Sequence, residues 1–198
     1  MNMYYQNKKI STIPKEWFFF NPENLSDSKK LNSLSKNVGV IFFNKNLKVY
    51  EFLKKIEPCI KYCRKKRIKF IIPFSKFWCS KYHAFGMMIE ISKKTKKFHS
   101  RNHKQKNYFT VAKVHNVKEA FLAKGFIDLI FLSPVLKTDS YPEKKPLSNY
   151  IFISLCFFFK EEVIFALGGV NYKNIKYMKN KKIHGFGAIS CFDNNEKI

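Results

Sequence analysis

The stretch "DLIFLSPVLKTDSYPE", residues 128–143, decides how this chain is read. It opens as a buried strand, because Leu129, Ile130, Phe131 and Leu132 form an apolar run without polar alternation. Such runs mark strands covered on both faces, as parallel strands are. Ser133-Pro134 ends the run, and a polar loop with Thr138, Asp139 and Ser140 follows. Three small oxygen-bearing side chains beyond the C-terminal end of a buried strand stand where α/β proteins bind ligands. Fold and ligand are therefore one question.

Similar apolar runs recur along the chain. They are Trp17 to Phe20, Val38 to Phe43, Lys69 to Pro73, Gly86 to Ile91, Phe109 to Val114, Val163 to Leu167 and Gly185 to Phe192. With residues 128–133 they make eight strands. Helical patterns fill several of the gaps. Residues 47–67 carry apolar side chains at 49, 52, 53, 56, 60 and 63, a 3.6-residue stripe that Pro58 is expected to kink or split. In "NVKEAFLAKG", Asn116 can cap a helix, with Glu119 at the capping-box position and Gly125 as terminator. Two further helices are read over 147–160 and 171–181.

Strands alternating with helices imply right-handed βαβ units and a parallel sheet. The expectation is a single α/β domain over residues 1–198, its core at about 15–192, closed as a compact (β/α)8 barrel. An open doubly wound sheet is the alternative, and it lacks an N-terminal glycine fingerprint. The fourth and eighth helices are expected to be eroded. Residues 92–107 hold Lys and His with few apolar side chains, and too few residues follow Phe192 for a full helix.

Composition limits the function classes. The formal charge of +24 first suggests nucleic acid or an anionic membrane. Yet Lys, Asn, Ile and Phe are abundant together, as a strongly AT-rich coding sequence produces, so part of that charge is compositional. The basic residues are scattered, and no interleaved Arg/aromatic platform for stacking bases is visible. A nucleic-acid partner is not expected. Nor is a membrane one: the N-terminus lacks a signal-peptide core, and the run Ile151 to Phe159 is far short of the about 20 residues a span needs. Five cysteines without a CxxC pair read as reduced thiols of a cytoplasmic protein, Cys59 and Cys63 being one helical turn apart. His99 and His103 have ligand-like spacing but no Cys pair nearby, which argues against zinc.

The C-terminal third carries the chemistry. In "VIFALGGVN" (163–171), a buried strand ends in Gly168-Gly169 before a helix-like segment, so the backbone can approach an anion closely. "HGFGAISCF" (184–192) follows as the last strand. Barrels commonly hold a phosphate in the loops after strands seven and eight. His115, at the end of the fifth strand, is the one candidate acid/base side chain, the alternative being a rim histidine that only hydrogen-bonds.

In order and spacing, "FLSPVLKTDSYPEKKPLS", "VIFALGGVN" and "GFGAIS" resemble the thiamine phosphate synthase family and its TenI-type thiazole tautomerase relatives. "VGVIFFNKN" (38–46) and "VHNVKEA" (114–120) resemble two upstream segments of that family, the former as found in alphaproteobacterial members. The resemblance runs over about residues 38–192. It implies a (β/α)8 barrel that joins a pyrimidine pyrophosphate to a thiazole phosphate, with Mg2+ and an SN1-like loss of pyrophosphate. It further implies that Thr138 and Ser140 bond the pyrophosphate. The backbone amides of Gly168, Gly169, Ile189 and Ser190 would hold the thiazole phosphate.

Departures from the family pattern are as informative. Where the second strand normally supplies basic side chains, Phe42-Phe43-Asn44-Lys45 leaves only Lys45. The Mg2+ ligands expected after strands three and four fall on Pro73-Phe74 and near Ser92, with Glu90 the only carboxylate close by. Tyr141 replaces a lysine, and Pro134 stands where a tautomerase would carry its proton-shuttling histidine. Three functions stay open: a divergent synthase or tautomerase, a phosphate-ligand binder that has lost the reaction, and a basic nucleic-acid-associated protein. The oligomeric state is not legible.

Overall fold

Trp17 has a glycine on either side. In register it faces Gly39 on the second strand and Gly187 on the last. One strand can pair with both its sequence neighbour and the final strand only if the sheet closes. The computed structural model describes residues 12–43, 47–73, 75–93, 108–138, 142–178 and 182–192, and its sheet is a closed, all-parallel barrel in sequence order. The strands are β1 (Glu16–Phe20), β2 (Val38–Phe42), β3 (Phe70–Pro73), β4 (Gly86–Met88), β5 (Phe109–Val114), β6 (Leu129–Leu132), β7 (Val163–Leu167) and β8 (Gly185–Ala188). The helices are α1 (Leu25–Ser33), α2 (Val49–Lys66), α3 (Lys76–Lys81), α4 (Val117–Ala123) and α5 (Asn149–Phe158), with a 3₁₀ turn at Ile175–Met178. This is the compact (β/α)8 barrel with eroded helices that the alternation predicts.

Period-two alternation sorts each strand into two cores. Phe18, Phe20, Val40, Phe42, Ile130 and Leu132 point outward and pack beneath the helices. Trp17, Phe19, Ile41, Ile71, Val111, Leu129, Phe131 and Phe165 point inward and fill the lumen. Four of those inward side chains are aromatic, which is bulky for a barrel interior, and they pack edge and face. Phe19 meets Phe131 edge-on at 5.3 Å, and Phe131 stacks on Phe165 at 4.8 Å. Glycine supplies the space. A methyl group at Gly39 would lie 2.4 Å from the Trp17 ring, and one at Gly187 would lie 2.6 Å from Phe19.

The helices depart from expectation at Pro58 and in the segment over 171–181. α2 runs unbroken through Pro58, because Phe52, Leu53, Ile56, Ile60 and Cys63 bury one continuous face on both sides of it. α1 has little apolar stripe: only Asp27 and Leu31 are buried. Its start is built instead by side chains, Asn24 accepting from the Ser26 amide and Asp27 accepting from the Asn21 amide at 2.9 Å. α3 has six residues, too few to show a period. The helix expected over 171–181 is replaced, among its described residues, by the short 3₁₀ turn. There Asn171 Oδ1 accepts from the amides of Lys173 and Asn174, while Asn174 Nδ2 donates to the Gly169 carbonyl at 2.8 Å. These side-chain bonds offer the backbone a turn in place of a helix.

Strands four and eight end earlier than expected, at Met88 and Ala188. The segment expected to erode the fourth helix, His99 and His103 included, lies largely outside the described residues, as does everything after Phe192. All five cysteines are free thiols. Burial pushes those of Cys63 and Cys79 up to about 12, which keeps them protonated and unreactive. No described helix is long and apolar enough to cross a membrane.

The glycine–tryptophan complementarity is testable. Gly39→Ala is expected to destabilise the fold by about 1–3 kcal/mol through overpacking, a loss of several degrees in thermal midpoint. Adding Trp17→Phe should restore part of it. Equal midpoints for Gly39→Ala and the unmodified chain would show that Trp17 has room to move.

Candidate functional site

At the C-terminal mouth of the barrel the lumen opens into a cavity of about 500 Å³. Its walls come from six strand ends. Phe19 and Phe43 form part of the floor, extending β1 and β2. Lys113 and His115 continue the inward phase of β5 set by Val111. The loop after β6 contributes Ser133, Pro134, Lys137, Thr138 and Lys144; residues 168–171 and 188–190 contribute from β7 and β8. This is the end of the barrel where ligands bind in enzymes of this architecture.

The loops after β6 and β7 are locked together. The β6–β7 ladder runs on past both strands, with the Val135 amide donating to Leu167 O at 2.9 Å and the Leu136 amide to Gly168 O at 3.0 Å. Both glycines have left-handed backbones, φ +90° at Gly168 and +69° at Gly169. Neither could carry a side chain without moving the neighbouring loop. A methyl at Gly168 would lie 2.8 Å from Pro134 Cβ, and one at Gly169 2.3 Å from the Lys137 carbonyl oxygen. The Ser133–Pro134 peptide is cis. Among the described residues, the amides of Gly168, Gly169 and Ser190 donate to no protein acceptor. Such amides at a cavity wall suit an anion.

His115 is held by the start of α4. Asn116 Oδ1 accepts from the Glu119 amide at 2.9 Å, as a helix cap should. The Glu119 carboxylate reaches back one residue further than a standard capping box. It accepts from the His115 amide at 2.8 Å and from His115 Nδ1 at 2.9 Å, while its other oxygen accepts from Asn116 Nδ2. An ionised carboxylate can only accept, so Nδ1 carries the proton. In the neutral ring this leaves Nε2 as a lone-pair acceptor. His115 is about one-third exposed (31%) and lines the cavity, so it can act as an acid/base group there.

Of the residues singled out by sequence, the structure gathers Thr138, Gly168, Gly169, Ile189, Ser190 and His115 around this one cavity. Ser140, Lys45, Asp139, Tyr141 and Phe74 lie outside the described residues. Glu90 is exposed and does not line the cavity. Among the described residues no three His, Cys, Asp or Glu side chains group to hold a metal ion. Magnesium prefers an octahedron of oxygens anchored by one or two carboxylates plus substrate phosphates. The described mouth supplies no carboxylate, so its residues do not fit the Mg2+ site the resemblance implies. Three lysines line the cavity that the motif comparison did not assign: Lys113, Lys137 and Lys144. Lys113 was open to sequence reasoning, because counting by twos from Val111 points residues 113 and 115 into the lumen.

Fold and cavity together define a (β/α)8 barrel with its candidate site on the loops after strands five to eight. The family model described as thiamine monophosphate synthase (TMP-TENI) matches residues 31–192, and the chain belongs to that family. Over 90 residues it is 30% identical to a protein of Aquifex aeolicus (strain VF5) named "Putative thiamine-phosphate synthase 2", a match covering 43% of this chain. That match spans about half, 46%, of the curated relative's length. Among solved structures, a thiamine phosphate pyrophosphorylase from Pyrococcus furiosus superposes with a TM-score of 0.68 at 14% identity, covering 94% of this chain and 92% of that one. A thiamine phosphate pyrophosphorylase from Bacteroides thetaiotaomicron gives a TM-score of 0.56 at 16% identity, covering 92% and 90%. At those identities the structural likeness speaks for the fold.

If Glu119 fixes the imidazole, its removal changes the ring's proton. Nitrogen-15 NMR of the neutral His115 ring is expected to show the Nδ1–H tautomer, and Glu119→Ala to shift it toward Nε2–H. An unchanged tautomer in Glu119→Ala would show that the carboxylate serves only the helix start.

Proposed function

We propose that this chain is a thiamine phosphate synthase-like transferase, which joins a pyrimidine pyrophosphate to a thiazole phosphate. The observation that carries this reading is the convergence of Thr138, Gly168, Gly169, Ile189 and Ser190 on one mouth cavity, within the segment the family model matches. In this reading the amides of residues 168, 169, 189 and 190 hold the thiazole phosphate. Thr138 and Ser140 donate to the pyrophosphate.

The chemistry asks for positioning more than for covalent help. The C–O bond between the pyrimidine methylene and pyrophosphate breaks, and the thiazole nitrogen forms the new C–N bond to that carbon. Pyrophosphate leaves with the electron pair, so donors aimed at it stabilise the charge as it develops. Phe19 and Phe43 on the cavity floor offer apolar surface to the two flat rings. His115 stands at the mouth to hydrogen-bond the leaving group or to exchange a proton with it. A tautomerase reading rests on the same phosphate cradle. Pro134 lines the cavity where that chemistry expects a histidine, and Pro134 has no proton to move, so in this reading His115 serves as the base.

The second reading, a binder that no longer catalyses, is favoured by one observation. No carboxylate lines the described mouth, so the charge compensation the family reaction uses is altered.

Incubation of the purified chain with both substrates, read by mass spectrometry for thiamine phosphate, separates the readings. Product is expected, with Thr138→Ala lowering its rate on the order of a hundredfold. Gly169→Ala is expected to lower it at least as much, by pushing the Lys137 carbonyl aside. No product from folded protein that still binds thiazole phosphate would overturn the synthase and leave the tautomerase and the binder. Neither product nor binding would overturn the assignment of this cavity.

A further inference from the structure

We propose that this mouth binds a doubly anionic ligand without a divalent metal, the ammonium groups of Lys113, Lys137 and Lys144 taking the charge-neutralising role. The inference rests on the phosphate reading of the cavity given above and names how its second anion is held.

The placement of charge leads to it. The cavity has two chemically different sides. Residues 168–169 and 189–190 line it from after β7 and β8; Lys113, on β5, and Lys137 and Lys144, on the loop after β6, are the cationic residues of its lining. The Lys137 backbone packs directly on Gly169, so the two sides meet at one point. A ligand with one phosphate and one pyrophosphate group can place an anion against each. Lys113 is half-buried and lies deepest of the three, one inward step beyond Val111 and one before His115. A charge in such a concave, partly dry position interacts more strongly with an anion than one on an open surface.

Carboxylates for a metal are scarce for a reason visible across the molecule. The chain has 14 Asp and Glu residues against 38 Lys and Arg. Several of the acids are already used as structural acceptors away from the mouth. Asp27 starts α1, Asp128 accepts from Thr110 N at 2.6 Å, and Glu162 pairs with Lys124 at 2.8 Å. Glu119 is committed to His115 and Asn116. In the loop after β6, Asp139 is the one acid next to Thr138, and it lies outside the described residues. A single carboxylate is a weak anchor for Mg2+, which dehydrates reluctantly. Lysine binds phosphate as a mobile point charge and needs no such geometry.

Calorimetric titration of the full chain with inorganic pyrophosphate, in EDTA and again in Mg2+, tests this, with inorganic phosphate as the probe of the backbone cradle. The expected result is pyrophosphate affinity in EDTA within threefold of that in Mg2+. Lys113→Met and the exposed-site variant Lys144→Met should each weaken pyrophosphate at least fivefold and leave inorganic phosphate within twofold. Lys61→Met, on the solvent face of α2, should change neither. Binding more than tenfold weaker in EDTA, above all if Asp139→Asn abolishes the Mg2+ effect, overturns the proposal and leaves the phosphate reading standing. An equal loss in Lys61→Met also overturns it, because bulk charge would then explain the binding. Pyrophosphate binding without phosphate binding would keep the lysine site and remove the cradle. Failure of both probes to bind would remove both.

Discussion

The size of the lumen is the constraint on which the rest of this molecule depends. Trp17, Phe19, Phe131 and Phe165 occupy a space that most barrels fill with branched aliphatic side chains. They fit because Gly39 and Gly187 give up their side chains on either flank of β1. The consequence reaches the site. Phe19 and Leu167 belong both to the interior core and to the cavity wall, so the candidate cavity begins where the packed lumen ends, among the loops above. The candidate site is therefore built from short segments after the strands, set on a floor of packed aromatic rings.

Those segments are not free loops. The hydrogen bonds from Val135 and Leu136 to Leu167 and Gly168 extend the sheet past its last strand residues. Asn174 then ties the Gly169 carbonyl to the following turn. The phosphate cradle proposed for these loops would have to be rigid, because an amide that must reorient to meet an anion gives back part of the interaction in conformational cost. Here the rigidity comes from the same ladder that closes the barrel. The two glycines at its end pay for it with left-handed backbones.

The strands were legible because both of their faces are buried, so each reads as an apolar run, although the runs at β4 and β8 continue past the last strand residue. Their number and order were enough to choose the barrel. Helices were legible where an apolar stripe builds them, as in α2, or where a cap pair marks the start, as Asn116 and Glu119 do for α4. α1 and the turn at 175–178 are set by Asn and Asp side chains bonding to nearby backbone, a signal that periodicity does not carry. At the candidate site, motif order was enough to place Gly168-Gly169 and Thr138 on one cavity, since tight turns with left-handed backbones leave glycine signatures. Glu119 was visible as a helix cap, but its grip on the His115 ring depends on an extra residue of reach that spacing does not fix. The lysines were hidden by their abundance. In a chain with this many cations, a Lys in a strand looks like drift until its phase is counted against Val111.

Abundance and placement have different physical weight. The cations at the end of α2, Arg64, Lys65 and Lys66, project into water, where salt screens charges beyond about 8–10 Å and each adds little to any one contact. Lys113 stands in a concavity walled by Leu167, Ile189 and Phe43, and fewer ions can come between it and a bound anion. Removing a peripheral lysine lowers the molecule's overall attraction for anions slightly and evenly. Removing Lys113 changes one pole of one cavity. The large net charge can bring anions to the surface at a higher rate, but holding one in register with Thr138 and Gly169 is a task for the few groups that share its cavity. Drift can supply many lysines, whereas it is the inward phase of β5 that brings Lys113 to the lining it shares with His115.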